Sequence, residues 1–142
     1  MPNVEDVLMV KGPDVVVAGA DCTVGQAANM MYQANVGSVI VRNHGAILGI
    51  VTERDMVGRV LAKGLDASTA KLGDVMSSPV KTCGLGDSMD LCMERFQRDH
   101  IRRLVVVADG MLLGLIRMRD VIGAQLKARN KRIEEIEKTP VE

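Results

Sequence analysis

Thr52 and Asp55 are the residues whose types and spacing could bind a ligand. Gly49 lies near the end of a predicted strand, and Thr52 lies where the chain is predicted to turn into a helix. The threonine hydroxyl and the free backbone N–H groups after it would face one small space, which favours a phosphate. Asp55 falls in the first helical turn, where its carboxylate could accept hydrogen bonds from the vicinal hydroxyls of a ribose. The spacing therefore indicates a sugar-phosphate site.

The same pair of residues could instead be a plain helix cap. Threonine followed three positions later by an acidic residue satisfies backbone N–H groups, and this stabilises a helix by roughly 0.5–2 kcal/mol without a ligand. Taken alone, the spacing leaves capping and ligand binding open. The sequence context favours a site that also caps the helix, because the motif lies in an internal repeat.

The repeat organises the whole chain. A shift of 65 residues aligns 36–58 with 101–123, and seven of the 23 aligned pairs are identical while nine exchange one apolar residue for another. Asp55 aligns with Asp120, but Thr52 aligns with Arg117. Two copies of one unit therefore fill the chain, and the second copy keeps the acid of the motif without its hydroxyl.

Arg117 is the main departure of the second copy. An arginine at a helix start offers no oxygen to the backbone N–H groups and lies at the unfavourable end of the helix dipole, at a cost of roughly 0.3–1 kcal/mol. It therefore needs an anion or an acidic partner nearby. Two interpretations stay open: Arg117 gives charge to a phosphate bound mainly by the first copy, or it is a surface arginine at an empty second site.

Hydrophobic periodicity predicts the order β-α-β-β-α in each copy. The residues between the paired strands, Asn43-His44-Gly45 and Ala108-Asp109-Gly110, favour tight hairpin turns. His44 is accordingly predicted in a turn rather than as a metal ligand. The predicted elements are strands at 15–17, 38–42, 46–51, 80–82, 103–107 and 111–116, helices capped by Thr23 and Ser88, and helices that start at Thr52 and Arg117.

The composition limits the class of protein. The chain has 142 residues, 18 basic and 18 acidic residues and 47% hydrophobic residues, which excludes a disordered chain. No apolar run approaches the roughly 18–20 residues of a membrane span, and the acidic start does not resemble a signal peptide. We therefore expect a cytoplasmic protein with no membrane segment. The three cysteines and two histidines lack the spacing of a zinc site, so no metal is expected.

Three segments of the repeat resemble motifs of the CBS-domain family, named after cystathionine β-synthase. They are Gly-Ile-Val-Thr-Glu-Arg-Asp at 49–55, Val-Gly-Ser-Val-Ile-Val at 36–41 and His-Ile-Arg-Arg-Leu-Val-Val at 100–106. Their places in the repeat identify the chain as a member of a family in which two tandem copies form a Bateman module. The resemblance implies an α+β fold of two tandem β-α-β-β-α repeats packed with pseudo-two-fold symmetry, plus a C-terminal helix extension.

The resemblance also implies a division of the chain into three regions. These are a first CBS domain with its linker at 1–71, a second CBS domain at 72–128 and a C-terminal helical extension at 129–142. The extension carries a thin apolar seam, which we expect to pack on its own body or on a sister subunit rather than on a separate target.

Modules of this family bind adenosyl compounds in the clefts between the two copies, and they regulate rather than catalyse. The implied ligand is AMP, ADP, ATP or S-adenosylmethionine, and no cofactor is required. The implied partners are this small molecule, a second copy in a homodimer and an unidentified protein target. No nucleophile with a base, metal cluster or phosphate-transfer loop is visible in the sequence, so no enzyme activity is expected.

Basic residues of the motifs are candidate phosphate contacts. In the family, the basic residue of the His-x-Arg stretch often reaches ligand phosphates, which implies Arg102 first and Arg103 second, and Arg54 belongs to the first motif. Successive strand side chains point to opposite faces, so at most one of Arg102 and Arg103 enters a given cleft. A solvated face with salt bridges is the alternative. Arg117 and Asp120 complete the predicted set in the second copy.

An adenine would need a dry slot with aliphatic walls, because the chain has one Phe, one Tyr and no Trp. Backbone groups near Gly37 and Ser38 could recognise the adenine edge, and a glycine permits close approach. The alternative is that the wall residues belong to the core. The candidate wall residues are Val15, Val16, Val36, Ile40 and Ile50.

Two other classes of function stay open. The basic stretch could bind nucleic acid, although zero net charge and the shortage of aromatic side chains argue against it. Empty clefts would leave a structural dimerisation module. The leading expectation is a regulatory module that binds an adenosyl nucleotide, senses the energy or metabolite state of the cell, and signals to a partner or to its own oligomer.

Overall fold

Each repeat forms a three-stranded sheet, because each contains one short β-branched segment and one hairpin. The strands are β1 (Val17–Ala18), β2 (Ser38–Asn43), β3 (Ala46–Thr52), β4 (Thr82–Cys83), β5 (Arg103–Ala108) and β6 (Met111–Arg117). In the first sheet β1 is parallel to β2, and β2 is antiparallel to β3. β4, β5 and β6 repeat this order in the second sheet. The computed structural model describes residues 2–138.

The four helices that the sequence predicts are present, together with two further helices. They are α1 (Val4–Lys11), α2 (Val24–Ala34), α3 (Glu53–Asp55), α4 (Leu72–Val75), α5 (Met89–Asp99) and α6 (Met118–Glu137), with a π-helix at Met56–Leu61 that continues α3. The sequence did not predict α1 and α4. The Thr23 hydroxyl accepts from the backbone N–H of Gln26, and the Ser88 hydroxyl accepts from that of Leu91, both at 3.1 Å. Both N-caps are confirmed, and so is the α+β fold.

Tight turns close both hairpins, as predicted. His44 and Asp109 have φ angles of 49° and 51°, and the glycines that follow them, Gly45 and Gly110, have φ angles of 84° and 75°. Two successive positive φ angles are typical of a type I′ turn, whose twist matches that of the flanking strands. His44 is therefore a turn residue.

The first strand of each repeat lies two residues later than predicted. β1 begins at Val17 rather than at 15, and β4 begins at Thr82 rather than at 80. Only Val17 and Ala18 lie opposite residues of β2, namely Ile40 and Val41. The residues of β2 that are available for pairing therefore determine where β1 begins, and the local run of valines does not.

A separate hydrophobic core holds each sheet to its helices. Strand residues supply one face of each core, and residues of the neighbouring helices supply the other. The first core contains Val24, Ala27, Met31, Val39, Val41, Val51, Val60, Leu72 and Val75. The second core contains Val4, Cys83, Met89, Cys92, Phe96, Leu104, Val106, Ile116 and Val121.

The chain divides into two compact units that do not coincide with the predicted regions. Asp14–Val80 forms the first unit, and the residues through Pro13 join those from Lys81 onward in the second. We predicted divisions after 71 and 128. They differ from the compact units because residues 2–13 pack with the second repeat and residues 72–80 pack with the first.

Equivalent backbone hydrogen bonds fix these two exchanged segments. In the second unit, the Val4 N–H donates to the Asp87 carbonyl at 3.0 Å. In the first unit, the Leu72 N–H donates to the Cys22 carbonyl at 2.9 Å. Each bond ties the start of a short helix, α1 or α4, to the residues just before the capped helix of that unit.

α6 is continuous, so the extension predicted to begin at 129 is not separated from the second repeat. Leu126, Ile133 and Ile136 are 55%, 43% and 71% exposed, so a large part of this seam is accessible to solvent. Packing on a sister subunit stays a prediction. Residues 139–142, which we assigned to the extension, lie outside the described residues.

No helix within residues 2–138 is both long enough and apolar enough to cross a membrane. The cytoplasmic location stays a prediction.

Candidate functional site

Thr52 and Asp55 form a reciprocal cap at the junction of β3 and α3. The Thr52 hydroxyl accepts from the Asp55 N–H at 3.3 Å, and Asp55 Oδ2 accepts from the Thr52 N–H at 2.9 Å. Thr52 Oγ1 also lies 3.1 Å from Asp55 Oδ2, with the hydroxyl as donor. The Asp55 side chain is 13% exposed. The pair therefore caps the helix and holds a carboxylate at the end of the strand.

Backbone N–H groups at this helix start are less available than the sequence suggested. The Glu53 N–H donates to the Gly37 carbonyl at 3.0 Å, and the Asp55 N–H donates to Thr52. A helix start attracts a phosphate through N–H groups that have no partner. A phosphate contact here would rest mainly on the Thr52 hydroxyl and on cations. Recognition of an adenine edge by backbone groups near Gly37 stays a prediction.

Ser77 belongs to this site, although the sequence analysis missed it. Its hydroxyl donates to Asp55 Oδ1 at 3.2 Å. Its backbone exchanges two hydrogen bonds with Ile50, at 3.0 and 2.9 Å, so the residue extends the free edge of β3. A Cβ atom on Gly49 would lie 2.7 Å from the Ser77 carbonyl oxygen. The glycine of the motif could have predicted a close approach at Gly49, but it does not identify the segment that approaches.

Arg59 and Arg54 are the cations on the helical side of the first site. Arg59 Nε lies 3.7 Å from Asp55 Oδ1, and one Arg59 amino group donates to the carbonyls of Val75 and Met76 at 3.1 and 2.8 Å. Arg59 therefore ties the helix to the segment that carries Ser77. Arg54 is exposed, and its predicted phosphate contact stays a prediction.

Arg102 and Arg103 lie at the start of β5, in the second unit. Arg102 is exposed, and its carbonyl accepts from the Met118 N–H at 2.8 Å. Arg103 is half-buried and lies opposite Arg117 in the sheet. The two side chains thus differ in exposure, as strand alternation predicts. Their roles as phosphate contacts stay predictions.

The predicted adenine walls divide between two faces of the first sheet. Val16 and Val36 pack against the helix-side core. Ile40 and Ile50 are cross-strand partners, and alternation with the core residues of their strands places them on the other face. Ser38, 6% exposed, shares that face.

Val15, half-buried, precedes β1. The five wall residues therefore do not line one surface, and only those of the face that also carries Thr52 can adjoin the site.

Asp120 has a different environment in the second unit. Arg117 Nε donates to Asp120 Oδ2 and Arg117 Nη2 donates to Asp120 Oδ1, both at 3.2 Å, and the Arg117 N–H donates to Oδ2 at 2.9 Å. Lys11 Nζ lies 3.6 Å from Oδ2. The acidic partner that Arg117 was expected to need is Asp120 itself. The fork and the backbone bond replace the threonine cap of the first repeat.

A family model described as CBS domain matches residues 4–62 and 72–127. The chain belongs to the CBS-domain family. Its two repeats are CBS repeats, and the Thr52 and Asp55 cap lies at the start of the last helix of the first one.

Relatives of this CBS protein come from bacteria, archaea and plants. The CBS-domain containing protein ATU1752 from Agrobacterium tumefaciens is 34% identical, with a TM-score of 0.81 over 87% of this chain and 99% of that one. PAE2072 from Pyrobaculum aerophilum, solved in complex with AMP, is 26% identical, with a TM-score of 0.74 over 89% of this chain and 99% of that one.

A curated relative is longer than this chain. The mitochondrial CBS domain-containing protein CBSX3 of Arabidopsis thaliana is 27% identical over 121 residues, which are 82% of this chain and 59% of that protein. The chain thus spans about three fifths of the length of that relative.

The Asp120 carboxyl should make the second CBS repeat acid-sensitive. Burial would raise its pKa, but hydrogen bonds from Arg117 and the charge of Lys11 outweigh burial and hold the pKa below its ordinary value. A carboxyl with a depressed pKa in the folded state stabilises the fold above the unfolded pKa of about 3.9, and this stabilisation is lost as pH falls through the folded pKa. We expect the parent to lose its stability advantage over Asp120→Asn below about pH 4.

Urea unfolding of both proteins between pH 7 and pH 3 would measure that loss. The parent should be the more stable protein at pH 7, and the two free energies of unfolding should converge at the acid end. A difference that stays constant with pH would contradict the ion-pair assignment. Glu94→Gln is a matched control, because Glu94 is an exposed carboxylate in the middle of α5 in the same unit.

Proposed function

We propose that this chain is a regulatory module that binds AMP or another adenosyl ligand at Thr52 and Asp55 in the first CBS repeat. The observation that carries the proposal is the state of the Asp55 carboxylate, which is 13% exposed and held by the neutral donors Thr52 and Ser77. A carboxylate in this state is pre-positioned, and it is not neutralised by a direct hydrogen bond from a cation.

The hydrogen-bonding capacity of Asp55 supports this assignment. A carboxylate has about four acceptor positions, and Asp55 uses them for one backbone N–H and two hydroxyls. Hydroxyl groups rotate, so Thr52 and Ser77 can turn toward a ligand while the carboxylate accepts from a ribose. Arg59, 3.7 Å from the same carboxylate, is half exposed and can approach a ligand phosphate.

The ligand class is supported by a relative of similar fold. PAE2072 was solved in complex with AMP, and both chains carry CBS repeats. We therefore propose AMP as the first ligand to test, with ADP, ATP and S-adenosylmethionine as alternatives of the same class. No residue of the proposed site is assigned a catalytic role.

A regulatory output requires an element that the ligand can bias. A ligand shifts a conformational equilibrium only through its different affinities for the two states. The Asp55 side chain contacts Thr52 at the end of β3, Ser77, and Arg59 of the π-helix Met56–Leu61. π-helical turns occur often at functional sites. We propose that this helix and the segment at Ser77 transmit occupancy to a protein target or to a second copy.

We expect Asp55→Ala to abolish stabilisation by AMP. At an AMP concentration about 100 times its Kd, the parent should gain about 2.7 kcal/mol, which raises Tm by roughly 5–10 °C for a chain of this size. The variant should show no AMP-dependent rise, because the ribose hydroxyls lose their acceptor. Circular dichroism during heating, with and without AMP, measures both shifts.

Gln26→Ala is the matched control for the loss of a cap. Gln26 closes the equivalent capping box with Thr23 in the same unit, so its removal costs a similar stability without touching the site. It should keep the full AMP response. An equal AMP response in Asp55→Ala would overturn the site. A parent that does not respond to any adenosyl ligand would favour a structural dimerisation module, and one that binds RNA with a steep salt dependence would favour the nucleic-acid alternative.

A further inference from the structure

The aligned carboxylates of the two CBS repeats, Asp55 and Asp120, accept hydrogen bonds from different kinds of donor. Asp120 accepts three hydrogen bonds from Arg117 alone, two of them from the guanidinium fork. Lys11 Nζ lies 3.6 Å from Asp120 Oδ2, so a second cation adjoins the same carboxylate. A carboxylate has about four acceptor positions, and Arg117 alone takes three of those of Asp120, so Asp120 cannot accept from both hydroxyls of a ribose unless Arg117 is displaced.

The donors also differ in kind between the repeats. Asp55 accepts both of its side-chain hydrogen bonds from hydroxyls, with Arg59 Nε 3.7 Å away. Asp120 accepts both of its side-chain hydrogen bonds from a guanidinium, with Lys11 Nζ 3.6 Å away. The exposed fractions of the Lys11 and Asp120 side chains are 12% and 11%. A bidentate guanidinium pair is both stronger and more rigid than a hydroxyl contact. A neutral ribose would have to displace this fork and leave Arg117 without its partner.

Lys11 reaches Asp120 because of the exchanged N-terminal segment. The Leu115 N–H donates to the Pro13 carbonyl at 3.1 Å, which is the counterpart of the bond between Ile50 and Ser77 in the first unit. Pro13 therefore takes the place of Ser77 but has no hydroxyl. The segment supplies Lys11 instead, whose Nζ also donates to the Leu115 carbonyl at 2.9 Å.

We propose that Arg117 and Lys11 are specificity-determining residues that close the second CBS repeat, which means that they block ligand binding at Asp120. Each chain then binds one adenosyl nucleotide, in the first repeat. The proposal rests on the proposed function for the site at Thr52 and Asp55. It assigns Asp120 to the attachment of the N-terminal segment and to the cap of α6, rather than to ligand binding.

The proposal predicts that two substitutions open the second repeat. Arg117→Thr recreates the Thr-x-x-Asp spacing of the first repeat, and Lys11→Ala removes the other cation. Isothermal titration with AMP should give one equivalent for the parent and two for the Lys11→Ala/Arg117→Thr protein. With Asp55→Ala added to each, the counts should fall to zero and one.

A matched control removes two positive charges elsewhere. Lys127 and Arg129 are exposed on α6, and Lys127→Ala/Arg129→Thr should keep the parent stoichiometry. Asp120→Asn is a second variant that does not depend on opening the repeat. It should bind AMP within about threefold of the parent Kd, since a contact worth a hydrogen bond would cost about tenfold.

The outcomes separate this proposal from the proposed function. Two equivalents in the parent, a tenfold loss of affinity in Asp120→Asn, or no second equivalent in an opened protein that unfolds cooperatively would each overturn the closure of the second repeat. A parent without AMP binding, together with an opened protein that binds one equivalent, would contradict the site at Asp55 and support the closure by Arg117 and Lys11.

Discussion

Phe96→Ala is expected to lower the free energy of unfolding by about 3–5 kcal/mol. Phe96 is the single phenylalanine of the chain and is 1% exposed. It projects from α5 into the core that also contains Leu104 and Ile116. Removal of the ring costs the transfer of its apolar surface and leaves a cavity, because strands on one side and a helix on the other limit collapse.

Tyr32→Ala is the matched control for the loss of an aromatic ring. Tyr32 is 83% exposed on α2, so its removal should change stability by no more than about 0.5 kcal/mol. Urea unfolding followed by circular dichroism measures both variants, since the chain has no tryptophan for fluorescence. A loss below about 1.5 kcal/mol for Phe96→Ala would show that the second core repacks more easily than its burial indicates.

The sequence predicted those parts of the fold that depend on short-range chemistry. Thr23 and Gln26 lie three residues apart and satisfy each other, so the start of α2 follows from local spacing. His44 and Gly45 close a hairpin because both can adopt positive φ. In each case the partner is within a few residues, and neither prediction requires knowledge of the tertiary fold.

Long-range pairing explains what the sequence missed. α1 was not predicted, although Asn3 and Asp6 form a capping box with the same spacing as Thr23 and Gln26. Its core residue Val4 packs in the second unit, so its apolar side faces residues that lie far along the chain. For the same reason, residues 72–80 pack in the first unit although they follow the predicted boundary at 71.

The candidate site shows the same division between local and distant partners. Thr52 and Asp55 were identified because their contact spans three residues. Ser77 lies 22 residues from Asp55, and Lys11 contacts a carbonyl 104 residues away. Rules based on short sequence spacing cannot predict contacts between residues so far apart in the chain. Arg117 is intermediate: the sequence showed that it needed an acidic partner, and Asp120 was already at the correct helical spacing.

Strand alternation could have improved the prediction of the adenine slot. Val16 and Ile40 were both named as candidate walls of one slot, but residues on the two faces of a sheet cannot share a surface. The core residues Val39 and Val41 flank Ile40, and their alternation alone assigns Ile40 to the other face. The register with β1, which places Val16 on the core side, required the structure.

Gly49→Ala is expected to lower the free energy of unfolding by about 1–3 kcal/mol and to remove the AMP response. The new Cβ would lie 2.6 Å from Met76 Sδ and 2.7 Å from the Ser77 carbonyl oxygen. The Met76 side chain can move, but the Ser77 carbonyl is backbone. The segment must therefore shift away from β3, and this breaks the Ile50 pairing and the Ser77 contact to Asp55.

Gly58→Ala separates this steric effect from the general effect of glycine replacement. Gly58 lies in the π-helix of the same unit, and among the described residues outside its own helical turns nothing lies within 4 Å of the position that an alanine methyl group would take. Because alanine restricts the unfolded chain and favours a helix, this variant should gain about 0.5–1 kcal/mol and keep its AMP response. If Gly49→Ala instead bound AMP as the parent does, Ser77 would not be needed to hold Asp55, and its contact would be only structural.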